Sequence, residues 1–226
     1  MSAVRAAWLI ARKDLVIEAR SRELVATTLF FAASCVLVFA FAFVRGRDVP
    51  ADAPAAILWI AIAFSGTLAL TRAFERERQG ETLRALLMAP SARAGVYLGK
   101  LLGLLCLMFL VEALLVPLVA LFFRAPVFDA PGYLAALLVA GTVGFAAIGT
   151  LFAAMLVRAH SRDVLLPVLL YPMTVPVLIA GVRGTAALLA AEPNFDVARA
   201  WLAILVFFDA TVVLLALWTF APVMSE

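Results

Sequence analysis

Charge is scarce in this sequence. Asp, Glu, Lys and Arg make up 15% of its 226 residues, whereas an average soluble domain carries about 25%. Apolar residues reach 66%, and a chain this short has too little interior to hide that excess, so much of its surface must meet lipid. Histidine is nearly absent. The one present, His160, falls in a short charged turn, and no metal-ligand spacing exists. Cysteine is limited to Cys35 and Cys106, both inside apolar runs, which suggests no disulfide framework. The phosphate-binding loop of an ATPase is missing. Its nearest approximation, Gly95-Val96-Tyr97-Leu98-Gly99-Lys100-Leu101, has the wrong spacing and no hydroxyl after the lysine. No nucleophile, base and acid can be assembled, so no catalytic residue is assigned. The net charge of +3 comes without a basic cluster standing apart from a membrane end, which argues against a nucleic-acid partner. The first apolar run starts only at Leu24 and has no small-x-small cleavage site before Arg45. It is expected to stay as a signal anchor.

What is present is length in the apolar runs. About 20 apolar residues cross the ~30 Å hydrocarbon core. Reading for that length gives spans at 24–44, 54–70, 101–123, 133–157, 164–182 and 200–222. The expected fold is therefore an all-α membrane protein, a single permease-like domain over 1–226 with both termini on one side. Basic residues select that side. Arg5, Arg12, Lys13, Arg20, Arg22, Arg72, Arg76, Arg78, Arg84, Arg93, Arg158 and Arg162 flank one end of the spans, with Lys100 just inside span 3. Arg45, Arg47, Arg124, Arg183 and Arg199 flank the other. Twelve against five places the N-terminus in the cytoplasm. Trp59, Tyr97, Tyr133, Trp201 and Trp218 fall near predicted span ends, where amphipathic rings favour the interface.

Local patterns suggest how the spans pack. Span 4 carries Ala140, Gly141, Gly144, Ala146, Ala147, Gly149, Ala153 and Ala154, so neighbours can approach its backbone closely. Span 3 opens with the small pair Gly99 and Gly103, a weak signal for a dimer. Span 5 contains Pro167, Pro172 and Pro176, each lacking a backbone donor, which predicts a kinked or broken helix.

Two segments outside the spans carry a pattern. Residues 1–23 are too polar to insert. Val4, Trp8, Ala11 and Leu15 recur at intervals of three and four opposite Arg5, Arg12, Lys13, Glu18, Arg20 and Arg22, which predicts an N-terminal helix lying in the cytoplasmic interface. Between spans 2 and 3, a charged helix holding Glu75, Arg76 and Glu77 is expected to stop at Gly80. A second, very short helix then runs to Pro90, with Leu83, Leu86 and Leu87 on one stripe. A helix of about eight residues is marginal in water, so an apolar stripe there suggests docking into a partner's groove.

Two acids lie near the middle of their spans, Glu112 in span 3 and Asp209 in span 6. A carboxylate at that depth costs roughly 2.5–3.5 kcal/mol on insertion scales, so both are expected to face protein or water. Glu112, nine residues from Gly103, should face away from the close-packing edge.

These residues together resemble the heme exporter protein B family, the permease of the bacterial cytochrome c maturation system, over nearly the whole chain. The resemblance rests on Arg12-Lys13-Asp14-Leu15 with Glu18, Arg20, Arg22 and Glu23; on Leu58-Trp59-Ile60; and on the stretch from Arg76 to Pro90. Leu98-Gly99-Lys100, Val111-Glu112-Ala113-Leu114, Gly144 to Leu151, Leu165-Leu166-Pro167 and Phe208-Asp209 continue it in order. The end, Phe220 to Glu226, is less acidic than the family's usual tail. The resemblance implies a permease homodimer in the inner membrane served by a separate ATP-hydrolysing subunit, with the loop after span 2 as the coupling helix. It implies a heme-handling membrane subunit as partner and heme as transported substrate; no cofactor is expected to reside in the chain. The alternatives are an ABC-2 type permease for another amphipathic or lipid-like substrate, and a non-transporting scaffold of an assembly complex.

Overall fold

In hydrocarbon a backbone must satisfy its own hydrogen bonds, and a helix does so within one segment. The computed structural model describes residues 3–44, 50–79, 93–156 and 162–223, and helices occupy nearly all of them. They are α1 (Ala3–Ser21), α2 (Glu23–Val44), α3 (Ala53–Gln79), α4 (Arg93–Phe123), α5 (Pro131–Met155), α6 (Arg162–Leu189) and α7 (Phe195–Val223). No strand occurs among the described residues. Helices α2 to α7 are each long and apolar enough to cross a membrane. The protein is a six-span, multi-pass membrane protein with one extra helix at its N-terminal end.

The helices run further than the apolar runs alone suggest. α3 continues past Leu70 to Gln79, α4 begins at Arg93, and α6 continues past Val182 to Leu189. Apolar runs end at the first charge, but helical hydrogen bonding does not. The ends have local causes. Arg22 and Arg124 adopt left-handed φ values of 53° and 51°; the first turns the corner between α1 and α2, and the second closes α4 just before Pro126. Asn194 caps α7 by accepting the Val197 N–H at 3.0 Å.

Burial separates centre from periphery. In the apolar stretches of α3 and α5, 72% of residues are buried, against 28% for α2 and 11% for α7. α5 packs against α3, α4, α6 and α7, and its small residues explain how closely they approach. Gly141 faces the Trp59 ring, Gly144 faces Asp209 and Val177, and Gly149 faces Leu70. A side chain at any of the three would collide, so glycine sets the helix spacing.

Three expectations need correction. The prolines were expected to kink or break span 5, and a break is excluded: α6 runs unbroken through Pro167, Pro172 and Pro176. Interior prolines are tolerated in membrane helices; within this stretch Thr174 Oγ1 also donates to the carbonyls of Leu170 and Tyr171 at 3.0 and 3.2 Å. The apolar stripe of α1 is divided: Ala11 is buried, along with Ala6, Ala7 and Ile10, whereas Val4, Trp8 and Leu15 are exposed. α1 thus has one face against protein and another free. Finally, Trp59 and Tyr97 are not interfacial rings. Both are fully buried, because the polar end of each meets a protein partner: Trp59 Nε1 donates to Thr185 Oγ1, and the Tyr97 hydroxyl donates to the Ala147 carbonyl, each at 3.0 Å.

Candidate functional site

The two mid-span acids both converge on α5. Glu112, on α4, is 5% exposed and accepts a hydrogen bond from Thr142 Oγ1. Asp209, on α7, packs against Gly144 and lies beside Val177 of α6. Thr142 and Gly144 are two residues apart, which in an α-helix means a rise of about 3 Å and a turn of about 200°. The acids therefore share one depth but sit on opposite faces of α5. Their carboxyl groups form no common site; the helix backbone stands between them. Glu112 is enclosed by protein. Asp209 is half-buried, and its Oδ1 is buried without a hydrogen-bond partner among the described residues. Thr142 is the residue that sequence reasoning missed here. It lies in the small-residue run of α5, and a hydroxyl within such a run opposite a buried acid is the signal that would have found it.

A second polar group lies where α1 meets the bundle. Lys100, on the second turn of α4, has 5% of its side chain exposed and donates to Asp14 Oδ2 at 2.7 Å. Asp14 Oδ1 also pairs with Lys13 at 3.2 Å. The Lys100 ammonium stands 5.9 Å from the centroid of the buried Phe74 ring on α3, within cation–π range. Gly99 lets α1 approach: a Cβ there would fall 2.7 Å from Ile10 Cβ and 2.8 Å from the Ala7 carbonyl. A Cβ at Gly103 would meet Asp14 Cβ at 3.7 Å. The small pair on α4 thus seats the chain's own N-terminal helix. Beside this junction a mainly apolar cavity of about 160 Å³ lies between α1, α2, α3 and α4, with Lys100, Asp14 and Glu18 at one end and Leu107 and Leu110 at the other.

Of the remaining sequence-predicted residues, Glu75, Arg76 and Glu77 lie on the last turns of α3. Gly80, Leu83, Leu86 and Leu87 lie outside the described residues. Among the described residues no group of His, Cys, Asp and Glu is arranged to hold a metal ion. The described residues form a helical bundle with two acids at mid-depth and an ion-paired joint at one end.

No protein in a search of curated proteins matches the chain. A family model described as CcmB protein matches residues 5–225. That range takes in α1, all six spans and both polar groups. The chain therefore belongs to the CcmB, or heme exporter protein B, family of transporter membrane subunits.

Proposed function

We propose that this chain is the membrane permease of an ABC-type exporter that delivers heme across the bacterial inner membrane for c-type cytochrome assembly. It works as a homodimer, with ATP hydrolysed by a separate subunit and a heme-handling membrane subunit beside it. Its N-terminus and the segment between α3 and α4 face the cytoplasm, as the excess of basic residues at that end supports. The observation that carries this reading is the family match across 5–225, which includes the whole segment between α3 and α4.

That segment is the ATPase contact in this reading. α3 leaves its apolar stretch at Phe74 and continues to Gln79, so it projects a charged end, including Glu75, Arg76 and Glu77, beyond the membrane. Leu83, Leu86 and Leu87, beyond it in the sequence, supply the apolar anchors that fill a groove in the partner. The permease needs no nucleotide site of its own. Asp replacing both Leu83 and Leu86 is expected to abolish co-purification of the ATPase while the permease stays in the membrane. An ATPase bound at wild-type level would refute the contact.

A further inference from the structure

Lys100 joins three helices at one ammonium: α1 through Asp14, α3 through Phe74, and α4, which carries it. Phe74 lies five residues before the end of α3, and Lys100 lies seven residues after the start of α4. The joint therefore ties α1 to the two helix ends between which residues 80–92 run. Buried lysines are rare unless paired, and removing one partner of a buried pair leaves an uncompensated charge. The joint is accordingly hard to open. It is also stiff, because at Gly99 the side chain of Ile10 rests directly on the α4 backbone.

The other end of α1 meets α2 through a small contact centred on one side-chain bond. Glu18 Oε1 accepts the Val25 N–H at 2.8 Å, capping the first turn of α2. The corner at Arg22 is held by its own N–H, which donates to the Glu18 carbonyl at 2.7 Å. α2 in turn is one of the two least buried spans, and it packs against α3 and α4 as well as meeting α1. Helix α1 thus lies along α4, is ion-paired to it at Lys100, and is joined at its far end to α2 through Glu18.

We infer that α1 is a transmission arm: displacement arriving at the ends of α3 and α4 passes through the Asp14–Lys100 joint, along α1, and through Glu18 to α2. This rests on the reading of the chain as an ATPase-driven permease and names Asp14, Lys100 and Glu18 as positioning residues within it. Asp14 and Lys100 transmit; they do not contact the transported molecule. An interfacial helix that merely anchors the chain would need neither an ion pair to a buried lysine nor a capped corner.

The test separates ATPase binding from export in the full complex. Asp14→Asn and Lys100→Met are each expected to leave the ATPase bound and hydrolysing, while heme-stained holocytochrome falls at least tenfold at equal permease content. The swapped pair, Asp14→Lys with Lys100→Asp, is expected to recover most of that loss. Wild-type export in either single variant, or a stably inserted swap with no recovery, overturns the inference. A second change does not depend on the buried pair folding. Two glycines inserted after Ser21 leave the joint intact but disconnect α1 from α2, and the same tenfold loss with the ATPase still bound is expected. Normal export by that insertion overturns the arm. If instead the unaltered chain captures no ATPase and supports no export, the permease reading itself fails, which is a different result.

Discussion

Replacing Gly141 by alanine places a methyl group against the far edge of the Trp59 ring, where the nearest atoms are Cη2, Cζ3 and Cζ2. The ring is held in place: Trp59 is 1% exposed, its Nε1 is bonded to Thr185, and Gly181 of α6 lies against its other edge. Neither the indole nor α5 has room to retreat, so Gly141→Ala should cost about 1–3 kcal/mol by overpacking. Trp59→Phe removes those three edge atoms together with the hydrogen bond. Side-chain hydrogen bonds within membranes average about 0.6 kcal/mol, so most of its cost is the vacated volume. In the Trp59→Phe background the methyl at 141 enters space that the indole edge had filled, and its cost should vanish or change sign. A double-mutant cycle is then expected to give a coupling of about 1–3 kcal/mol, within the range for residues in contact. Unfolding in mixed micelles, followed by circular dichroism, supplies the four free energies. Equal cost of Gly141→Ala in both backgrounds, within about 0.5 kcal/mol as for independent sites, would refute the packing derived for α3, α5 and α6.

Thr142→Val removes the hydroxyl that donates to Glu112 while keeping the shape; leaving a buried acceptor unpaired costs about 1–3 kcal/mol, so the amount of permease in membranes should fall, as read by immunoblot. Glu112→Gln keeps an acceptor for Thr142 and should keep the protein in the membrane, whereas holocytochrome per permease should fall if the acid shapes the export path. Gly144→Ala drives a Cβ into the Asp209 carboxylate and should destabilise the bundle by about 1–3 kcal/mol, with Asp209→Ala relieving most of that cost in the same unfolding assay. In a chain with Cys35 and Cys106 replaced by alanine, a cysteine at Arg162 should be shielded from an impermeant thiol reagent in intact cells and one at Asn194 should react; the reverse labelling would invert the orientation.

The six spans were legible because their signal is local. Leu, Val, Ala and Phe in runs of about 20 are read off one segment at a time. Tertiary partners were not legible. Trp59 and Tyr97 lie near predicted span ends exactly as interfacial rings would, and only Thr185 and Ala147, 126 and 50 residues away, reveal them as buried. Lys100 reads as one more basic residue at a membrane end until Asp14, 86 residues earlier, is placed opposite. Glu112 and Asp209 announced themselves by the cost of burying charge. The sequence depth of each was readable, but not that α5 would stand between them. The prolines of α6 left a kink and a break equally open in the sequence, and only the continuous helix through all three excludes the break.

The most direct measurement of the central claim is maturation of c-type cytochrome in cells lacking their own permease of this kind. Expression of this chain together with its ATPase should restore heme-stained holocytochrome, and the same chain with an ATPase unable to hydrolyse ATP should not. Restoration without ATP hydrolysis, or full holocytochrome levels when this chain is absent, would contradict its role as an ATP-driven heme-export permease.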